Sequence, residues 1–144
     1  MLILDTHAWW WAISEPEKLT SLAAETIRQT PADQICVAAI SLWELGMMVS
    51  RGRISLILSP QEWFHYAIDK LGTTVLALTP EIAIDACYLP GDFHKDPADR
   101  IIVATARIYH APLITKDRKI RDYPHVRTIW ETEKSGLNII EDVQ

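Results

Sequence analysis

The chain contains little cysteine and no long hydrophobic run. Its 144 residues include two cysteines, Cys36 and Cys87, which lie in apolar surroundings without the spacing of metal ligands. We expect both to be buried thiols in a reducing cytoplasm. No uncharged apolar stretch approaches the roughly 20 residues of a membrane span, and the N-terminal residues lack the basic segment and cleavage pattern of a signal peptide. We therefore expect a cytoplasmic protein without a membrane segment.

The chain also lacks internal repeats, low-complexity segments and several familiar catalytic signatures. There is no P-loop, no G-x-G-x-x-G motif and no Ser-His-Asp order. The five histidines show no paired ligand spacing, which argues against a zinc site. The length suits one domain with a substantial core, and an apolar share of 49% is typical of a folded protein rather than a disordered one.

The formal net charge is −5, which argues weakly against nucleic-acid binding. The charge is nevertheless patterned, because several acids would belong to one site and others lie near the C-terminus. Basic residues surround Asp117 in the sequence: Lys116, Arg118, Lys119 and Arg121. The sequence is therefore compatible with a basic rim around an acidic centre.

Short apolar strands alternate with helical segments along the chain. Strands are predicted at 1–5, 34–38, 73–77, 113–115 and 126–130. Helices are predicted at 8–13, 21–29, 42–50 and 60–71, then from Pro80 to before Pro90, and from Asp96 to about His110. This alternation predicts an α/β fold with a parallel sheet covered on both faces. Residues 1–130 form the predicted domain, and the sequence leaves the structure of the tail, 131–144, open.

Two aspartates directly follow predicted strands. Asp5 ends the run Met-Leu-Ile-Leu, and Asp117 follows the strand that ends at Thr115. Carboxyl ends of parallel strands meet at one edge of the sheet, where open α/β folds place their sites. Each aspartate also has an ordinary structural explanation, as a helix N-cap for Asp5 and as a turn residue for Asp117.

Three further acids lie near the starts of predicted helices. Glu44 completes the pattern Ser41-Leu-Trp-Glu, which is also a capping box. In Asp96-Pro-Ala-Asp99, Asp96 is suited to cap a helix, and Asp99 would project from its first turn. Arg100 beside it could pair with a neighbouring acid or a phosphate.

Clustered carboxylates repel one another unless a cation holds them, and hard oxygen ligands suit Mg²⁺ or Mn²⁺. If Asp5, Glu44, Asp99 and Asp117 meet at the sheet edge, the sequence predicts a metal-dependent nuclease, with the Thr115 hydroxyl steadying the cluster. In this hypothesis the Asp5 and Asp99 side chains hold the principal metal. Glu44 contributes directly or through water, and Asp117 completes a second, weaker site. Arg100, Lys116 and Arg118 are candidates to contact flanking phosphates.

Four segments, in order, resemble the PIN domain and specifically the VapC-like toxins of toxin-antitoxin pairs. They are Leu-Ile-Leu-Asp5-Thr-His-Ala8, Ala39-Ile-Ser-Leu-Trp-Glu44-Leu, His94-Lys-Asp-Pro-Ala-Asp99-Arg-Ile-Ile-Val-Ala104 and Leu113-Ile-Thr-Lys-Asp117. The resemblance implies a three-layer α/β/α sandwich with a central parallel sheet, and a Mg²⁺- or Mn²⁺-dependent endoribonuclease.

By matching position, the resemblance makes Asp5, Glu44, Asp99 and Asp117 the acidic quartet, with Thr115 as an accessory hydroxyl and Asp96 as the alternative to Asp99. It also implies an RNA substrate, a homodimer and inhibition by a small cognate antitoxin protein. Three tryptophans at positions 9–11 cannot all face one core, so we expect two to be buried and one partly exposed. Alternatively, one or more of them build the dimer or antitoxin interface.

Other functions fit less well. A phosphoacceptor receiver-like domain needs an aspartate pair after the first strand, where this chain has Asp5 alone, followed by Thr6. A flap-type DNA nuclease needs added DNA-binding elements for which the chain has no room. A non-catalytic PIN-like module that binds RNA or a protein partner remains the alternative, although the retained acids argue against it.

Overall fold

The fold is known from a computed structural model that describes residues 1–131. Five strands form the sheet: β1 (Leu2–Leu4), β2 (Ile35–Ala38), β3 (Thr74–Leu76), β4 (Leu113–Ile114) and β5 (Thr128–Ile129). Seven helices are described around it: α1 (Thr6–Ser14), α2 (Ser21–Gln29), α3 (Ala39–Ser50), α4 (Pro60–His65), α5 (Pro80–Cys87), α6 (Pro97–Ile108) and α7 (Arg118–Arg121). A π-helical turn, Tyr66–Lys70, continues α4.

All strand pairs in the sheet are parallel, and the strand order is β3-β2-β1-β4-β5. The chain therefore begins at the centre of the sheet and builds outward first on one side and then on the other. Parallel neighbours require crossover connections, which the helices supply. The predicted α/β/α sandwich is confirmed, and all five predicted strands are present, each shorter than predicted.

Alternating side chains of β1 pack into two hydrophobic cores on opposite faces of the sheet. Ile3 joins a core built with α5 and α6, whereas Leu2 and Leu4 join a core that contains Trp9 and Trp63. Successive residues of a strand point to opposite faces, so an apolar run buries both.

Local sequence signals set most helix starts. The side chains of Thr20, Ser59, Thr79 and Asp96 each accept a hydrogen bond from a first-turn backbone N–H, as N-caps do. The predicted cap at Ser41 is wrong. Helix α3 begins at Ala39, directly after β2, and its N-cap Ala38 makes no side-chain capping bond. The sequence analysis also missed the short helix α7.

The tryptophan run behaves as predicted. Trp9 and Trp10 are buried, and Trp11 is partly exposed. Trp9 packs edge-on against Trp63, with ring centroids 5.1 Å apart, and its indole N–H donates to the Thr73 hydroxyl. This pairing anchors α1 to the segment 60–73, so the aromatic cluster is a structural part of the core.

One cysteine prediction is wrong. Cys36 is buried as expected, but Cys87 is exposed at the last residue of α5. This short helix buries Ile82 and Ala86, which leaves Cys87 on the outward side. None of the helices within residues 1–131 is long and apolar enough to cross a membrane. The division into a domain, 1–130, and a tail, 131–144, stays a prediction, because residues 132–144 lie outside the described part.

Trp9 is 1% exposed at the centre of the aromatic cluster. Replacing a buried tryptophan with alanine removes apolar burial and leaves a cavity. We therefore expect Trp9→Ala to lower the free energy of unfolding by about 3–5 kcal/mol in urea denaturation. Ile57→Ala is the control, because the Ile57 side chain is fully exposed, and its effect should stay within about 0.5 kcal/mol. Equal effects of the two substitutions would contradict the packing described.

Candidate metal centre and active site

The site lies where the order of strands reverses. Strands β2 and β4 flank β1 on opposite sides, so the connections that follow β1 and β4 diverge above the sheet. Such a point opens a crevice outside the carboxyl ends of the strands. Asp5 follows β1 directly and Thr115 follows β4 directly, which places both side chains at this crevice.

Asp5 is a buried carboxylate with two neutral hydrogen-bond donors. One oxygen, Oδ1, accepts from the Ala8 backbone N–H at 2.9 Å and caps α1. The other, Oδ2, accepts from the Thr115 hydroxyl at 2.5 Å. Burial nevertheless raises the pKa of Asp5 to about 6, since these bonds only partly offset the lost hydration. The capping role and the site role are thus compatible in one residue.

Glu44 reaches the crevice instead of closing a capping box. Its Oε1 accepts from the Thr6 hydroxyl at 2.5 Å, and the Thr6 and Ser41 hydroxyls are hydrogen-bonded at 2.9 Å. Burial, and next the charges of Asp96 and Asp5, raise the pKa of Glu44. Ser41 is fully buried one helical turn before Glu44, so its hydroxyl supports the site rather than the helix start. The capping-box interpretation is therefore wrong.

Asp99 and Asp96 are both part of the acidic cluster. One carboxylate oxygen from each of Glu44, Asp96 and Asp99 lies within 4.8 Å of the others. Asp96 also accepts from the Asp99 backbone N–H at 2.9 Å and caps α6, as predicted. Burial raises the pKa of Asp99 to about 7, and the charges of the neighbouring acids add to this shift, with Asp96 foremost.

Asp117 caps helix α7 and faces the same cavity as the other acids. Its Oδ1 accepts from the Lys119 backbone N–H at 2.8 Å. Its own backbone N–H donates to Thr115 Oγ1 at 3.1 Å. The Thr115 hydroxyl therefore accepts a hydrogen bond from the Asp117 backbone N–H and donates one to the Asp5 carboxylate. This chain of bonds fixes the position of the Asp5 carboxylate relative to β4.

The four predicted acids line one cavity of about 310 Å³. Its lining consists of Asp5, Thr6, His7, Trp11, Glu44, Asp99, Ile102, Lys116 and Asp117. Asp96 lies in the adjoining groove, which it shares with Glu44. The structure thus brings together the acids that the sequence analysis selected. It adds Thr6 and Ser41, whose only sequence signal is their position beside Asp5 and before Glu44.

The structure does not bring Arg100 to the cluster. Its guanidinium donates to the backbone carbonyls of Ala86, Cys87, Phe93 and His94 at 2.8–3.4 Å. These bonds tie the connection between α5 and α6 to the start of α6. Arg100 therefore has a structural role here, in place of the predicted contact with an acid or a phosphate.

His94 is the histidine closest to the acids. Its Nδ1 accepts from the Asp96 backbone N–H at 3.4 Å, and its Nε2 lies 3.1 Å from Asp99 Oδ2. The Nε2 atom is buried, but the geometry of this contact is not that of a hydrogen bond. The contact becomes an ion pair only when the imidazole is protonated.

The donor set fits a hard divalent cation. Several carboxylates with raised pKa values converge, and Lys116 is the one lysine or arginine among the described residues that line the cavity. Oxygen-only ligands suit Mg²⁺ or Mn²⁺, whereas zinc sites favour histidine and cysteine. The unbalanced negative charge is what such a cation would neutralise.

The family model described as "PIN domain" matches residues 2–126, and the chain belongs to this family. The chain is 39% identical over 132 residues to "Ribonuclease VapC22" of Mycobacterium tuberculosis (strain ATCC 25618 / H37Rv), an alignment that covers 90% of this chain and 98% of that protein. The resemblance to VapC-like PIN domains stated from the sequence is therefore confirmed.

Solved structures share the fold at low sequence identity. A chain of the toxin-antitoxin complex from Klebsiella pneumoniae superposes with a TM-score of 0.65 at 17% identity, covering 90% of this chain and 96% of that one. A chain of VapBC2 from Rickettsia felis, bound to a DNA fragment from its promoter, gives 0.64 at 18%, with coverages of 90% and 98%. The fold predicted from the sequence is thus that of known toxin-antitoxin proteins.

The raised pKa values make the stability of the metal-free protein depend on pH. Asp5 and Asp99 titrate near 6 and 7 in the folded protein, above the usual 3.8. A carboxyl group whose pKa is higher in the folded than in the unfolded protein makes its full contribution to stability below about pH 4. This contribution is lost as pH rises to about 7. In EDTA we expect Asp99→Asn to raise Tm relative to the wild type at about pH 8, with little difference at about pH 4.

The exposed Asp33 provides the control for this experiment. Asp33→Asn removes the same charge outside the cluster, and its effect on Tm should be small at both pH values. If the difference in Tm between the wild type and Asp99→Asn does not change with pH, burial and charge repulsion do not destabilise the ionised carboxylate of Asp99.

Proposed function

We propose that this protein is an endoribonuclease that depends on Mg²⁺ or Mn²⁺, and that it is the toxin of a toxin-antitoxin pair. The observation that supports this proposal is the convergence of four acids in one cavity, at the point where the strand order reverses: Asp5, Glu44, Asp99 and Asp117. Membership of the PIN family and the name of the M. tuberculosis relative support RNA as the substrate.

The acids have distinct roles in this proposal. Asp5 and Asp99 hold the principal cation, Glu44 contributes directly or through water, and Asp117 provides a second, weaker position. When bound, the cation supplies Lewis acidity, which activates water and neutralises charge on the scissile phosphate. Asp96 adds negative charge beside Glu44 and Asp99, within the 4.8 Å cluster.

Neighbouring hydroxyls hold two of these carboxylates in place. Thr115 donates to Asp5, and Thr6 donates to Glu44. The Thr6 bond uses one carboxylate oxygen of Glu44, and no hydrogen bond from residues 1–131 reaches the other. Both oxygens of Asp5 already accept one bond. Carboxylate oxygens have two lone pairs, so Asp5 retains capacity to bind a cation. The orienting hydroxyls therefore belong to the support of the site.

The first prediction of this proposal concerns cleavage. Purified protein should cut a pool of structured RNAs with Mg²⁺ or Mn²⁺, and EDTA should stop the reaction. Losing an outer partner of a metal ligand typically costs about 10- to 100-fold, so we expect Thr115→Val to lower the rate by about that factor and Asp5→Asn by more. Asp5→Asn keeps an oxygen that can accept from Ala8 N–H, so the fold should remain intact.

Asp33→Asn, away from the cavity, is the control and should retain full activity. Full activity of a well-folded Asp5→Asn protein would refute the assignment of the site. If the wild type itself cuts no RNA in any metal, the alternative of a non-catalytic PIN-like module that binds RNA or a protein would gain weight.

We further propose that the protein forms a homodimer and binds a small cognate antitoxin. Large apolar side chains exposed on α3 and beside α5 support protein contacts: Trp43, Leu78, Ile84 and Tyr88. The two structural relatives belong to a toxin-antitoxin complex and to VapBC2, which is consistent with such a partner.

Light scattering should then give the purified protein twice the mass of one chain. Co-expression with the product of the adjacent gene should yield a complex that elutes together and no longer cleaves RNA. A monomer that remains fully active in the presence of that product would contradict both parts of this proposal.

A further inference from the structure

Beside the acids, the cavity has a second, chemically different wall. His7 and Trp11 are one helical turn apart on α1, and their ring centroids are 5.4 Å apart. Lys116 Nζ lies 5.6 Å from the centre of the Trp11 ring. All three side chains line the acidic cavity. His7 is exposed and Trp11 is partly exposed, so aromatic surface faces the same space as the carboxylates.

Packing explains only part of this arrangement. Trp11 contacts Trp130, with ring centroids 6.0 Å apart, and so borders the core. His7 contributes little to the core, because it is exposed immediately after the buried pair Asp5 and Thr6. An exposed imidazole beside an indole, next to a site for phosphodiester chemistry, has the composition of a base-stacking surface.

The negative charge of the cavity explains what Lys116 contributes to substrate binding. A polyanion that approaches Asp5, Glu44, Asp99 and Asp117 is repelled by their negative charge. Lys116 is the one lysine or arginine among the described residues of the lining. Its position over Trp11 places a cation within reach of a phosphate whose base lies on the aromatic surface.

We infer that His7, Trp11 and Lys116 form a subsite for one unpaired nucleotide of the RNA substrate, adjacent to the cleavage site. The base stacks on the exposed imidazole of His7 and touches the exposed edge of Trp11, whose ring is tilted by 48° to that of His7. Lys116 contacts its phosphate. Bases within a duplex are already stacked and cannot occupy such a surface. The subsite therefore accepts one nucleotide whose base is unpaired. This inference rests on the proposed function, because it assigns the substrate of the same site.

The test measures RNA binding in the Asp5→Asn background, which separates binding from cleavage. The probes are a fluorescein-labelled pool of random 12-nucleotide RNAs, the same pool annealed into duplex, and a 12-residue abasic ribose-phosphate strand, all with Mg²⁺. We expect the unpaired pool to bind most tightly. His7→Ala and Trp11→Leu should each weaken that binding about tenfold and leave abasic binding unchanged.

Lys116→Gln should instead weaken pool and abasic strands by the same factor, because it contacts phosphate. Trp11→Phe should restore most of the binding lost in Trp11→Leu, which excludes a loss caused by altered packing against Trp130. His65→Ala and Tyr66→Leu are matched controls on exposed surfaces outside the cavity, and neither should change the affinity. Thermal melts verify that each variant is folded.

The outcomes separate this inference from the proposed function. If the wild type cleaves RNA but His7→Ala and Trp11→Leu bind the pool normally, the subsite is refuted and the nuclease stands. If the wild type cleaves nothing while both variants lose base-dependent binding, the subsite is supported and the nuclease fails. Binding that is no tighter for unpaired RNA than for duplex or abasic strands also overturns the subsite.

Discussion

The carboxylate of Asp5 connects three parts of the molecule that are distant in sequence. It ends the central strand, caps the first helix through the Ala8 N–H and accepts the Thr115 hydroxyl from the end of β4. Removing any of these contacts would loosen the junction of β1, α1 and β4. A buried carboxylate is unfavourable without compensating donors. The position of this one group therefore depends on the correct pairing of the sheet, and the geometry of the crevice depends on that group.

The remaining acids add negative charge to a partly buried crevice, where ionised carboxylates are already unfavourable. Glu44 and Asp99 lie partly buried near Asp5, and the pKa of each is raised by lost hydration before any effect of neighbouring charges. Sites of chemistry often carry such local instability, which the rest of the fold must offset. Here two apolar cores on opposite faces of the sheet provide the offset. Stability and activity thus place opposite demands on the same residues.

Much of the fold was predictable because its signals are local. Strand ends before Asp5 and Asp117, and caps at Thr20 and Asp96, follow from neighbouring residues alone. The start of α3 was not predictable in this way. Ser41 has the sequence of a cap, but its hydroxyl is bonded to Thr6, 35 residues away. Arg100 likewise lies beside an acid in sequence, yet binds carbonyls on the preceding connection. Tertiary partners decided both cases, and a single sequence does not reveal them.

The Arg100 contacts have a consequence for the entropy of the site. The connection between α5 and α6 carries His94 and leads into Asp96, and a loop of this length is commonly a mobile part of a domain. Arg100 holds both ends of that loop through backbone carbonyls, in addition to the bond from the Asp96 backbone N–H to His94 Nδ1. These contacts fix the segment that leads into Asp96, which lies in the groove beside the cavity.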